Sequence, residues 1–186
     1  YNLFISDKLV SENERPFPGA SFDIYTNGDS TYKFPVISDN ELLAKVQKYT
    51  FNFFWDFGHP VSGLSRERNT SGDLVTIGGS GFGIMAIIVG IERGFISHQQ
   101  GIERIKTIVD FLANKADRFH GAWPHWLSGT TGEVIPFSSN DNGGDLVETA
   151  FMIQGLYTVR QYLDESAQPE KSIIGTINQL DRKSVV

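Results

Sequence analysis

Residues 78–91 decide the fold that this chain can adopt, and they read GGSGFGIMAIIVGI. From Ile84 to Ile91 the stretch is apolar nearly all the way round a helix, which predicts a helix buried on most of its sides. The glycines before it lower the intrinsic helix propensity, but they allow a neighbouring backbone or a ligand to come close. A nucleotide-binding loop is not favoured, because the spacing fits neither GxxxxGKS nor GxxxxGKT and no βαβ pattern surrounds it. We therefore expect this helix, the second of the chain, inside the core.

Four more helices are predicted, one before this buried helix and three after it. The first covers about residues 40–57 after an acidic, cap-rich start, and the third follows the cap residue Ser97 with apolar residues on one face only. The fourth covers about residues 145–163 and has a strongly apolar body, and a short fifth begins near Pro169 and stops close to Leu180. This order of outer, inner, outer and inner helices indicates an all-α fold of antiparallel helical hairpins.

Two regions outside the helices favour extended structure. Residues 1–38 mix alternating and aromatic residues with prolines and glycines, which predicts a short extended, β-containing arm at the N-terminus. Within this arm Asn27-Gly28 is typical of a hairpin turn, although a plain loop fits equally well. Residues 126–137 predict a small β-hairpin before the fourth helix. The chain is therefore divided into the arm, 1–38, and a helical domain, 39–186.

Composition excludes several classes of function. The chain has 186 residues, 40% of them hydrophobic, and a net charge of −6, which is typical of a globular protein that does not bind nucleic acid. It has no cysteine, and its four histidines show no zinc-ligand spacing, so neither a metal site nor a cofactor is predicted. The longest apolar run, 84–91, is too short for membrane insertion. The first residue is Tyr1 rather than methionine, which indicates a processed or truncated start.

Residues 141–149 read DNGGDLVET and bring three carboxylates to the start of the fourth helix: Asp141, Asp145 and Glu148. Asp145 and Glu148 are three residues apart and share one face of a helix. A structural alternative is that Asp145 caps the helix and the other two acids favour its first turn. As candidate catalytic residues, the three acids would raise one another's proton affinity, which keeps one of them protonated near neutral pH.

Aromatic residues precede this acidic stretch. Residues 121–127 read GAWPHWL and supply Trp123, His125 and Trp126 as candidate sugar-binding residues. Tryptophan is more often a core residue, and the sugar-stacking interpretation is favoured mainly for Trp123. His125 by itself is equally typical of a structural imidazole.

Two arginines complete the set of candidate substrate-binding residues. Arg66 and Arg68 lie in the loop after the first helix, where they can bond hydroxyls or hold carboxylates ionised. Their alternative role is an ion pair with Glu67 or Asp56 that stabilises the loop. In antiparallel hairpins the two loops that enter inner helices lie at the same end. We therefore expect the arginines, the aromatic residues and the acids to meet on one rim.

Several blocks of this sequence resemble a bacterial glucoamylase-like family whose characterised members are endo-β-1,2-glucanases of glycoside hydrolase family 144. The similarity runs from about residue 39 to about residue 180. The blocks are FWDFGHP at 54–60, SGL at 62–64, RER at 66–68, TIGGSGFG at 76–83, AWPHW at 122–126 and DLVET at 145–149.

The resemblance implies a toroid of six helical hairpins, an (α/α)6 fold, of which this chain would be the N-terminal portion. It also implies an anomer-inverting hydrolysis of β-glucan in a cleft that contains Asp141, Asp145 and Glu148. Inverting glycosidases hold their two carboxyl groups roughly 6.5–9.5 Å apart to admit a water molecule. A periplasmic or secreted location is implied in the same way.

The chain ends before the later helices of that family, so catalysis by this chain alone is expected to be incomplete. A non-catalytic glycan-binding or assembly fragment is one alternative, and an α-glucan glucoamylase-type hydrolase is another. A lyase is less favoured, because it would need a Tyr or His base with cationic groups. An incomplete toroid would expose the apolar faces of its inner helices, which predicts a homo-oligomer that covers them.

Overall fold

The structure, a computed structural model, describes residues 1–26, 28 and 31–184, and the side chains of the last helix as far as Arg182. It separates into two compact units, Tyr1–Ser38 and Asp39–Val186. The turn expected at Asn27-Gly28 depends on Asn27, which lies outside the described residues.

The first unit contains a small antiparallel pair of strands. β1, Asn2–Ile5, pairs with β2, Ala20–Asp23, so that Asn2 lies opposite Asp23. The side-chain amide of Asn2 donates to the Asp23 carboxylate at 2.9 Å. The predicted extended arm with short strands is therefore present.

The second unit is rich in helices. Ser97 caps the third helix through a reciprocal capping box with Gln100, as its position predicts, and Asp145 caps the fourth. The helices of the described chain are α1, Asp39–Asp56; α2, Ile77–Glu92; α3, His98–Asn114; α4, Leu146–Tyr162; and α5, Glu170–Ser184. In this part of the chain no helix is both long and apolar enough to span a bilayer.

The core is built around α2, which packs against α1, α3 and α4, while α5 packs against α3 and α4. α2 and α4 approach closely at two facing glycines. A Cβ placed on Gly81 would lie 2.3 Å from the Phe151 carbonyl oxygen, and one on Gly155 would lie 2.4 Å from the Gly81 carbonyl oxygen. The glycines therefore allow two backbones to touch, as the sequence predicts for this stretch.

Two expectations for this helix are corrected. The glycine run does not precede α2 but forms its first turns, because the helix begins at Ile77. Contacts made with α4 offset the low helix propensity of these glycines. The sequence also favours Phe82 and Trp55 as core residues, but Phe82 is 50% exposed and packs against Phe151 at a ring distance of 5.3 Å. Trp55 does pack against the core, although it is only partly buried.

The predicted hairpin is part of a larger sheet. β4, Trp126–Ser128, pairs with β5, Val134–Ile135, and also with β3, Leu74–Thr76, which the sequence did not indicate. Three residues are too few to show a period, so β3 is recognisable only from its partner. The helical unit is therefore mainly helical, as predicted, but it also contains this three-stranded antiparallel sheet.

The last helix is longer than expected. α5 continues past Leu180 to Ser184, and its buried residues Ile173, Ile177 and Leu180 follow helical spacing. These apolar residues hold the helix against the core, and no stop signal interrupts it at Leu180.

Candidate active site

The two loops that enter α2 and α4 meet, as the hairpin arrangement predicts. β3 and β4 pair with Thr76 opposite Trp126, and the N–H of Ile77 donates to the carbonyl of His125 at 3.2 Å. Asp73 ties the same two segments together, because its carboxylate accepts hydrogen bonds from the hydroxyl groups of Ser128 and Thr130 at 2.6 and 2.5 Å. The starts of α2 and α4 therefore share one rim.

Asp145 is held as a charged carboxylate at the start of α4. Its Oδ1 accepts from the N–H groups of Val147 and Glu148 at 2.9 and 3.0 Å, and its Oδ2 lies 3.1 Å from Nδ1 of His125. Partial burial acts to raise the pKa of Asp145, but the hydrogen bonds from Glu148, His125 and Val147 outweigh it and lower that pKa. Asp145 therefore caps the helix and remains ionised near neutral pH, and it is not the acid kept protonated within the cluster.

Glu148 reaches across to the start of α2. Its Oε2 accepts from the N–H of Gly78 at 2.7 Å and from the hydroxyl of Thr76 at 3.1 Å. Thr76 is the N-cap residue of α2 but makes no side-chain cap bond of its own. A carboxylate from one helix thus occupies the N-terminus of the other, where backbone N–H groups favour negative charge.

Asp141, the third acid, lies in an exposed turn before α4. This turn is closed by a bridge between Ser138 and Asp141, and the N–H of Phe137 donates to the Asp141 carbonyl at 2.9 Å. Its backbone is therefore fixed beside Phe137.

An aromatic wall flanks Asp145 and consists of His125, Trp126 and Phe137. Phe137 lies 4.6 Å from Trp126 and 4.7 Å from His125 between ring centroids. His125 and Trp126 meet edge to face at 5.5 Å. Half of Phe137 is exposed, so the wall presents an aromatic surface to solvent. A partly exposed aromatic surface beside a carboxylate, here that of Asp145, is suited to stacking against a sugar ring.

Phe137 was not among the residues singled out from the sequence. The predicted hairpin contains the signal that could have found it, since β4 and β5 pair Trp126 with Ile135. A residue two positions further along lies diagonally across the same face.

Trp123, favoured from the sequence as a stacking residue, is a core residue. Its side chain is 0% exposed, and the guanidinium of Arg118 lies over its ring at 4.0 Å. Its backbone N–H donates to the Thr149 hydroxyl at 2.9 Å, which ties it to α4. A sugar cannot reach the ring in this position, so the exposed aromatic surface belongs to Trp126 and Phe137.

The two arginines serve their own loop. Arg66 donates from Nε to the Gly72 carbonyl at 2.6 Å and from Nη1 to the Phe57 carbonyl at 2.8 Å. Arg68 is exposed and pairs with Glu67 at 3.3 Å. Arg68 therefore makes the ion pair with Glu67 that was its alternative role, whereas Arg66 stabilises the loop through backbone carbonyls and not through an ion pair.

A buried histidine strengthens the junction between the loops. His59 is 5% exposed, and its Nε2 lies 3.0 Å from the Asp73 carboxylate. Burial lowers the pKa of His59, although Asp73 acts to raise it. Within the described residues, no three His, Asp or Glu side chains come together to hold a metal ion.

The helix-rich fold is similar to that of solved glucoamylase-like proteins. The solved structure of a putative glucoamylase from Bacteroides uniformis matches with a TM-score of 0.78 and 52% identity, over 81% of this chain and 37% of that one. No family model matches the chain.

The chain is homologous to bacterial β-1,2-glucanases. An endo-β-1,2-glucanase from Chitinophaga pinensis, solved with sophorotriose and glucose, matches with a TM-score of 0.76 and 52% identity, over 80% of this chain and 37% of that one. An exo β-1,2-glucooligosaccharide sophorohydrolase from Parabacteroides distasonis is 47% identical over 163 residues, which cover 86% of this chain and 22% of that protein. The resemblance found in the sequence is therefore confirmed, and the chain spans less than two fifths of the length of these relatives.

Proposed function

We propose that this chain forms part of a hydrolase that cleaves β-1,2-linked glucan with inversion at the anomeric carbon. The observation that carries the proposal is the ionised Asp145 carboxylate, paired with His125 beside an exposed aromatic wall. Over 80% of its length the chain is 52% identical in sequence to an endo-β-1,2-glucanase.

The roles of the three acids follow from the contacts that each one makes. Glycoside inversion needs one carboxylate to activate water and one carboxylic acid to protonate the leaving oxygen. Asp145 suits the ionised role, because its pKa is lowered. Asp141 then supplies the proton, because the carboxylate of Glu148 is anchored at the start of α2. Trp126 with Phe137 stacks on a sugar ring.

The same proposal covers the architecture and location. The five helices are taken as the N-terminal portion, 39–186, of an (α/α)6 toroid, preceded by the arm 1–38. A periplasmic or secreted location fits the substrate, because a polysaccharide does not cross a membrane unaided.

The inner helices expose apolar side chains that need a cover. Phe82 and Phe151 are 50% and 42% exposed, and Leu146 and Val147 are 72% and 63% exposed. We propose a second copy of the chain as the partner for this surface. Size-exclusion chromatography with light scattering tests this, and a stable monomer at high concentration contradicts it.

Hydrolysis is tested on β-1,2-glucan and on starch, by measuring new reducing ends, with this chain and with a version extended through the later helices of its relatives. Products are expected from the extended version on β-1,2-glucan only, and from none of its variants D141N, D145N and E148Q. The matched control is E133Q, which changes an exposed carboxylate on the hairpin turn. Near-normal turnover by all three variants contradicts the assignment of these acids.

A glycan-binding protein without activity is the second candidate, favoured by the half-exposed Phe137 ring, which offers a stacking surface that needs no catalytic acid. Calorimetric titration with β-1,2-glucooligosaccharides distinguishes it, since binding without products is then expected. F137A lowers the affinity if the aromatic wall is the sugar-binding surface.

A further inference from the structure

The carboxylate of Glu148 lies in a space that is shaped by the first turn of α2. Both hydrogen bonds to its Oε2 come from residues about seventy positions away along the chain, the N–H of Gly78 at 2.7 Å and the hydroxyl of Thr76 at 3.1 Å. The orientation of this side chain is therefore set by α2, although Glu148 belongs to α4.

Gly78 makes room for this carboxylate. A Cβ at position 78 would lie 2.6 Å from Oε2, 2.9 Å from Cδ and 3.0 Å from Oε1 of Glu148. Gly78 has a helical backbone, so conformational freedom is not what requires a glycine at this position. The missing side chain is what lets the carboxylate lie against the helix.

Gly79 makes a matching space for Thr76. A Cβ at position 79 would lie 2.7 Å from the γ-methyl of Thr76. The backbone of Thr76 is fixed as well, because its N–H donates to the Ser65 carbonyl at 3.0 Å and its carbonyl accepts from the Ser80 hydroxyl at 2.5 Å. With its methyl group against Gly79, the threonine directs its hydroxyl at Glu148.

We infer that Thr76 and Gly78 are positioning residues that fix the Glu148 carboxylate for the reaction, an inference that rests on the proposed function. Two donors anchor one carboxylate oxygen, so the side chain does not have to be ordered when substrate binds. Preorganised groups of this kind lower the barrier of the chemical step rather than strengthen substrate binding.

The test compares T76V, T76S and G78A with the wild type and with E148Q, all in the version extended through the later helices of its relatives. A hydrogen bond to a charged group is worth about tenfold or more. We therefore expect T76V to lower kcat about tenfold with KM changed less than twofold, and T76S to restore most of the loss. G78A places a methyl group where the carboxylate lies, so its kcat should approach that of E148Q.

A second measurement does not depend on activity. The amide proton shift of Gly78, read by NMR in the same chain, reports its hydrogen bond to the carboxylate. It should move towards the shift of a free amide in E148A, which leaves no acceptor for this N–H, move part of the way in T76V, and stay in place in T76S.

The outcomes separate the inference from the proposed function. A wild-type extended version that releases no sugar from glucan counts against the proposed function, and the Gly78 amide then decides the positioning alone. A Gly78 amide that is unmoved in E148A and T76V overturns the inference, as does full kcat in T76V. If T76V lowers stability, the double variant T76V/E148Q should be no less stable than T76V, because the two side chains act as one pair.

Discussion

The substitution Gly81→Ala tests whether the contact between α2 and α4 organises the core. The added Cβ would lie 2.3 Å from the Phe151 carbonyl oxygen and 2.9 Å from the Cα of Met152. Ordinary contact begins at 3.4 Å, so the two helices must separate by about 1 Å. Both opposing atoms are backbone atoms, which cannot rotate away as a side chain would.

The expected magnitude follows from two opposing effects. Alanine is favoured over glycine in a helix by about 1 kcal/mol. Overpacking costs about 1–3 kcal/mol, and the upper end applies here because the clash is with backbone. We therefore expect G81A to lower the free energy of unfolding by about 2 kcal/mol.

Gly175→Ala is the matched control. Gly175 lies within α5, and a Cβ there would meet no atom within 4 Å. It receives the same gain in helix propensity without the clash, so G175A should be about 1 kcal/mol more stable than the wild type. The difference of about 3 kcal/mol between the two variants isolates the overpacking cost.

Urea unfolding followed by tryptophan fluorescence measures these values. All three tryptophans lie in the unit Asp39–Val186, so the signal reports on the helical unit alone. The reasoning would be refuted if G81A were as stable as G175A.

Four further predictions concern the rim and the core beside it. D145A should lose about 1 kcal/mol of stability as a helix cap is removed, whereas D145N should lose little, because asparagine caps equally well; urea unfolding of both measures this. The lowered pKa of Asp145 gives stability that is fully present above about pH 4 and is lost as pH falls through the folded pKa. On acidification below about pH 4 the free energy of unfolding should therefore fall less in D145N, which does not titrate, than in the wild type. The lowered pKa of His59 gives stability that is complete above about pH 6.5 and falls as pH drops towards the folded pKa; unfolding at pH 7 and 5 should show a smaller fall in H59Q. W123A should cost about 3–5 kcal/mol of unfolding free energy, and a fully stable variant would contradict its place in the core.

Much of the helical framework could be predicted from the sequence because its signals are local. The cap at Ser97 and the one-sided apolar period after it define α3 within a few residues. The acid at Asp145 marks the start of α4 for the same reason, since a cap bonds to N–H groups only two and three residues away. The rim on which the loops meet follows from antiparallel hairpins.

The site required tertiary structure, because its contacts join residues that are far apart in the chain. Nothing local distinguishes the buried Trp123 from the partly exposed Trp126, and their exposure depends on which side of the segment faces α4. The carboxylate of Glu148 depends in the same way on Gly78, a residue on another helix. The spacing of apolar residues and the capping of a helix act within one or two helical turns. The burial and orientation of a side chain depend instead on the segment that packs against it, and no periodic pattern in the sequence identifies that segment.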